Sequence, residues 1–133
     1  MSALVTEQHI ESYTKDGVLL VRNLFDTKWI HLVAEGIEEN LRNPTQRTRE
    51  YVNEPETGMH FFFDACVKGE IEAYDCLMMS SPMAEIAAKI MRSSTAILFY
   101  ISVFVRTPGT HRRTPWHQDQ PYYCVDGKDN CSL

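Results

Sequence analysis

No stretch of this chain comes near the ~18 consecutive apolar residues that a membrane-spanning helix requires, so no role within a bilayer is expected. Basic charge is short as well. Thirteen Lys and Arg against 18 Asp and Glu leave a net charge of -5, the wrong sign for a surface whose main task is neutralising phosphates, so nucleic acid is not the expected partner. Cysteine is sparse and unpatterned: Cys66, Cys76, Cys124 and Cys131 form neither a CxxC pair nor a disulfide framework. They read as reduced thiols of a cytoplasmic protein. Glycine and proline, six of each, are too few for a low-complexity or collagenous chain. The opening Met1-Ser-Ala-Leu-Val-Thr-Glu-Gln8 has no basic start and no long apolar stretch, so no secretory leader is expected.

What is present suits one soluble domain spanning residues 1–133, with 44% hydrophobic and 23% charged residues and enough length for a substantial core. Thr6 is placed to cap a helix over Glu7–Lys15, which Asp16-Gly17 ends. Val18–Val21 reads as a short strand. Asp26 caps a longer helix in which Trp29, Val33, Ile37 and Leu41 recur every four residues, and Asn43-Pro44 stops it. Residues 43–58 are polar, carry Pro44, Pro55 and Gly58, and read as a loop. Met59–Ala65 is a strand candidate and Glu70–Met79 a helix. Ser81-Pro82 opens another helix with Met83, Ile86, Ala87 and Ile90 inward. Thr95–Arg106 is the longest strand candidate, apolar at every odd position from Ile97 to Val105 and mixed at the even ones, so both faces are expected to be partly covered. Asp126–Asn130 signals a turn, after which Cys131-Ser-Leu133 looks like the start of a new strand. Helices first and strands last give an α+β pattern.

The densest chemistry lies in Thr114-Pro-Trp-His-Gln-Asp-Gln-Pro-Tyr-Tyr123. On an extended segment His117 and Asp119, two apart, point to the same face. An imidazole and a carboxylate on one face are two of the three ligands of the 2-His-1-carboxylate triad that holds non-haem Fe(II) and leaves positions open for a co-substrate and O₂. A reducing compartment would suit such a ferrous site. Trp116, Tyr122 and Tyr123 are candidates to wall a cleft around it. The competing reading is that His117 and Asp119 hydrogen-bond each other or cap a turn. Among other histidines, His9 and His31 read as helix-surface residues, His60 as a core or edge residue, and His111 as part of a loop. His60 and His111 remain the available third ligands. Arg106, Arg112 and Arg113 read as a solvated loop face or as a contact for an anionic substrate.

Three stretches together resemble the phytanoyl-CoA dioxygenase family of Fe(II)/2-oxoglutarate oxygenases: Tyr13-Thr-Lys-Asp-Gly-Val-Leu-Leu-Val-Arg-Asn-Leu-Phe25, Val103-Phe-Val-Arg-Thr-Pro-Gly-Thr110, and Thr114–Tyr123. The resemblance implies N-terminal helices followed by the first strands of a double-stranded β-helix, or jelly roll. It implies His117 and Asp119 as iron ligands, and Val103, Trp116 and Gln118 as residues lining the 2-oxoglutarate site. The implied activity is hydroxylation of a small organic substrate, with ascorbate as reductant. Halogenating relatives carry a small residue where Asp119 stands, so hydroxylation is the implied outcome. The family also places a second His and a 2-oxoglutarate-binding Arg well downstream of the first ligand pair. With neither present by Leu133, the resemblance implies the N-terminal part of such a domain, an incomplete jelly roll and a chain that is inactive alone. Two alternatives stand beside it. One is a non-catalytic module that pairs through an open sheet edge, with a complementary C-terminal segment or with itself. The other is a cupin-like sugar isomerase, which dependence on 2-oxoglutarate would separate from the oxygenase.

Overall fold

The first helix, α1 (Glu7–Asp16), forms where its caps lie. The Thr6 hydroxyl accepts from the His9 amide and the His9 ring accepts from the Thr6 amide, both at 3.3 Å, a reciprocal cap closed by a histidine instead of a glutamate. Gly17 ends the helix at φ 72°, a left-handed position that an L side chain disfavours. In the computed structural model, which describes residues 5–127 and 129–133, three further helices and one sheet follow: α2 (Thr27–Arg42), β1 (Arg49–Glu54), β2 (Met59–Cys66), α3 (Glu72–Ser80), α4 (Met83–Ile90) and β3 (Ile101–Arg106). The sheet is antiparallel with order β1-β2-β3. The protein is therefore an α+β fold. Residues 1–4 of the opening segment and Lys128 within the expected 126–130 turn lie outside the described residues.

Two apolar clusters hold these elements. Cys66 of β2 and Ile101 and Val103 of β3 bury their side chains against Ile71, Ala73 and Tyr74 at the start of α3, with Leu32 and Ile37 of α2 alongside. Gly36 lets α2 approach α3: a Cβ there would lie 2.7 Å from Tyr74 Cε1 and 3.0 Å from Ala73 Cβ. The second cluster joins α1 and α4 through Val5, Ile10, Ile86 and Ile90, with Leu19, Leu24 and Phe25 of the α1–α2 connection packed against it.

Several local expectations need correction. Val18–Val21 is not a strand: Leu19 reaches the second cluster while Val18 and Leu20 are exposed, an extended stretch with alternating burial and no ladder partner. Asp26 occupies the start of α2 without a side-chain capping bond. The expected 43–58 loop contains β1, whose polar sequence is that of an edge strand with only Val52 buried. A register shift between Glu50 and Val52 leaves Tyr51 to pack against Phe61, ring centroids 4.9 Å apart and planes tilted by 43°. β3 begins at Ile101 rather than Thr95, because ladder bonds to β2 start only where Ile101 meets Cys66. One face of β3 is covered; on the other, Phe104 is 62% exposed and rests on Phe63 at 4.9 Å. Cys131–Leu133 forms no strand.

Candidate functional site

The chain leaves the sheet through a turn fastened to β2. Thr107 donates its amide to the His60 carbonyl at 2.9 Å, and its hydroxyl accepts from the His60 amide at 2.8 Å. Thr110, buried, donates to the Thr107 carbonyl at 2.5 Å. Arg106 then closes the turn by donating to the carbonyls of Thr110 (2.8 Å) and Arg112 (2.6 Å). Beyond this point residues 111–118 run exposed and without ladder partners, so the segment carrying His117 is not a strand. Asp119 instead opens a short 3₁₀ turn over Gln120–Tyr122.

His117 and Asp119 nevertheless converge: His117 Nε2 lies 3.2 Å from Asp119 Oδ1. The other ring nitrogen, Nδ1, is 2.8 Å from the Pro115 carbonyl oxygen. A carbonyl only accepts, so Nδ1 carries the proton. In the neutral ring Nε2 then presents a lone pair to a carboxylate oxygen. Two acceptors at this distance call for a proton or a cation between them. A backbone carbonyl on Nδ1 is how metal-binding imidazoles are commonly oriented, and the 3.2 Å contact of Nε2 equally matches the expected alternative in which His117 and Asp119 bond to each other.

The expected surroundings are only partly assembled. Trp116 is fully exposed, Gln118 is exposed, and Tyr122 is 76% exposed with its ring 6.4 Å from that of His117. They form no closed cleft. Tyr123 turns back onto Phe99 (5.6 Å) and Tyr100 (5.9 Å), tying the His117 segment to the stretch before β3. The neighbouring Tyr100 and partial burial push the Tyr123 phenol above its ordinary range. Val103 is buried among Cys66, Ile71 and Tyr74, facing the helices.

No family model, curated protein or solved structure matches the chain. The site therefore stands on its own geometry. Among the described residues no group of three His, Cys, Asp or Glu side chains is placed to hold a metal. His60 pairs with Glu50 at 3.3 Å, His9 caps α1, and His31 and His111 are exposed. The donor set fits two positions of an iron triad and does not supply the third. An apolar cavity of about 270 Å³ between Phe25, Trp29, Ile30, Val33, Leu77 and Met83 belongs to the helices and takes no lining from the 114–123 segment.

One buried polar group escaped the sequence reading. Asp64 of β2 is fully buried and accepts from Asn40 Nδ2 (2.8 Å), the Thr45 amide (2.8 Å) and the Thr45 hydroxyl (2.6 Å). Burial pushes its carboxyl up, but the Thr45 and Asn40 hydrogen bonds outweigh this and hold it below the usual range. The Asn40 carbonyl oxygen in turn receives the Cys66 thiol (3.6 Å) and the Tyr74 hydroxyl (3.5 Å). Burial and the Asp64 charge push the Cys66 thiol up to about 11. Its readable signal was a polar residue, Asn40, one helical turn beyond Gly36 on the inner face of α2.

Proposed function

We propose that the chain serves an Fe(II)- and 2-oxoglutarate-dependent dioxygenase that hydroxylates a small organic substrate, with His117 and Asp119 as two of its three iron ligands. The supporting observation is the convergence of Nε2 and Oδ1 with Nδ1 committed to the Pro115 carbonyl. Iron with 2-oxoglutarate and O₂ would supply the oxidising power when bound. The chain's own groups supply position and charge. The Pro115 carbonyl fixes the imidazole tautomer, the Asp119 carboxylate offsets part of a metal's charge, and Tyr123 anchors the segment. Trp116 and Gln118 flank His117 and are available to a cofactor held there, whereas Val103 is turned into the core. In this reading β3 is an early strand of a jelly roll, and further strands add to its outer edge.

The reading is tested by titrating the chain with Co(II) and following NMR line broadening. The expected result is broadening centred on residues 115–119 that disappears in His117→Ala and Asp119→Ala and persists in His60→Ala. Broadening that survives both ligand substitutions would discard the assignment. Two protein ligands bind metal weakly, so the chain with iron, 2-oxoglutarate and ascorbate is expected to release no succinate above background.

A second reading rests on a different observation. β3 pairs with β2 alone, and its outer edge has no ladder partner among the described residues. Such an edge favours a pairing module without chemistry. Metal-independent association in sedimentation runs, with no cobalt effect, would favour this reading over the first.

A further inference from the structure

The outer face of the sheet carries two arginines in an arrangement that the iron site does not use. The rings of Tyr51 and Phe61 meet at 4.9 Å, tilted by 43°, and a guanidinium lies over each: Arg112 over Tyr51 at 5.0 Å and Arg106 over Phe61 at 5.2 Å. The Arg106 side chain also reaches the main chain of Arg112, since its Nη2 donates to the Arg112 carbonyl. Neither arginine makes an ion pair among the described residues, although acidic side chains outnumber basic ones 18 to 13. Their known bonds go to carbonyls: Arg106 to Thr110 and Arg112, and Arg112 Nη1 to Tyr51 at 3.3 Å. Carbonyls leave the charges uncompensated, and the remaining guanidinium N–H groups stay free. Aromatic faces hold the two cations on one face of the sheet, where an anion can meet both.

We infer that this face binds the dianionic group of a phosphate monoester, with Arg106 and Arg112 as its two cationic contacts. The planar fork of arginine matches phosphate oxygens in paired hydrogen bonds, and two forks match a doubly charged group better than a single carboxylate. A long polyanion is a poorer fit because the surface as a whole is acidic. The site needs no iron, so its failure leaves the dioxygenase reading standing, and the converse holds.

The probes are inorganic phosphate and phenyl phosphate, with acetate and succinate as carboxylate comparisons, read by NMR shift titration of the metal-free chain. Binding of the phosphate probes in the millimolar range or tighter is expected, with shifts centred on Tyr51, Phe61, Arg106 and Arg112. Arg112→Gln is the chosen variant because Arg106 also fastens the 107–112 turn, and an unchanged spectrum elsewhere verifies its fold. It should weaken binding at least about tenfold, while Arg22→Gln, the same charge change at an exposed position between α1 and α2, should not. The inference is overturned by no saturable shift at about 10 mM phosphate probe. Equal weakening by Arg22→Gln, full affinity in Arg112→Gln, or carboxylates binding as well as phosphates would each overturn it too.

Discussion

Asp64 shows how much one side chain holds. Its carboxylate is anchored by three donors from two places: Asn40 on α2 and Thr45, amide and hydroxyl, in the connection to β1. Removing the acceptor leaves those donors buried without a partner, and an unmet buried polar group is costly. Asp64→Ala should therefore destabilise the fold by about 3 kcal/mol, seen as a lower urea midpoint with an unchanged slope. The same carboxyl contributes to the acid limit. Its folded value lies below the unfolded one, near 3.9, so its stabilising contribution is complete above that pH and is lost as pH falls through the depressed value. Cys66 works in the opposite direction. Its thiol is raised from 9.0 to about 11, so its contribution is intact below pH 9 and is lost as pH rises toward 11. A stability profile for the Cys66→Ala variant should show a shallower slope between pH 9 and 11, with the rest left to Tyr74 and Cys131, which burial also raises; an unchanged slope would show that Cys66 contributes nothing to it. By contrast His117 and Asp119 are exposed, and substituting them should move stability by less than about 0.5 kcal/mol in thermal unfolding.

At the scale of elements, the α2–α3 contact depends on a missing side chain. Gly36→Ala gains helix propensity of roughly 1 kcal/mol, but its Cβ would enter the Tyr74 ring and press on Ala73. Overpacking of this kind costs about 1–3 kcal/mol, so net destabilisation is expected, and pairing it with Tyr74→Leu should recover part of the loss in a double-mutant cycle. The helices were legible because caps and periodicity are local: the Thr6 cap, the Gly17 stop and the Ile86/Ile90 stripe are each read within a few residues. β1 was illegible for a related reason. Arg49-Glu-Tyr-Val-Asn-Glu54 has the composition of a loop, and its strand character comes from β2 lying beside it. Val18–Val21 and Thr95–Tyr100 err the other way, being apolar stretches that no neighbouring strand meets.

Across the whole molecule, the sheet has a covered inner face and an outer face that carries Phe104 and the Tyr51–Phe61–arginine cluster. Its β3 edge is open among the described residues. Association through that edge should bring Phe104 against a second chain. Phe104→Lys is therefore expected to lower the sedimentation-derived mass of any oligomer without altering the helical circular dichroism.

Composition and local pattern alone determined the acidic balance, the absence of a membrane-spanning run, the Thr6 and Gly17 caps of α1, the α+β class, and the closeness of one imidazole to one carboxylate two residues away. These are properties of neighbours along the chain. The expected order of helices before strands gave way to strands β1 and β2 lying between α2 and α3. Tertiary structure decided which apolar stretches found a ladder partner and that α2 could reach α3. It also sank Asn40 and Asp64 into the core and laid Arg106 and Arg112 over the rings of Phe61 and Tyr51. Each of these joins residues distant in sequence, whose meeting depends on how the elements pack.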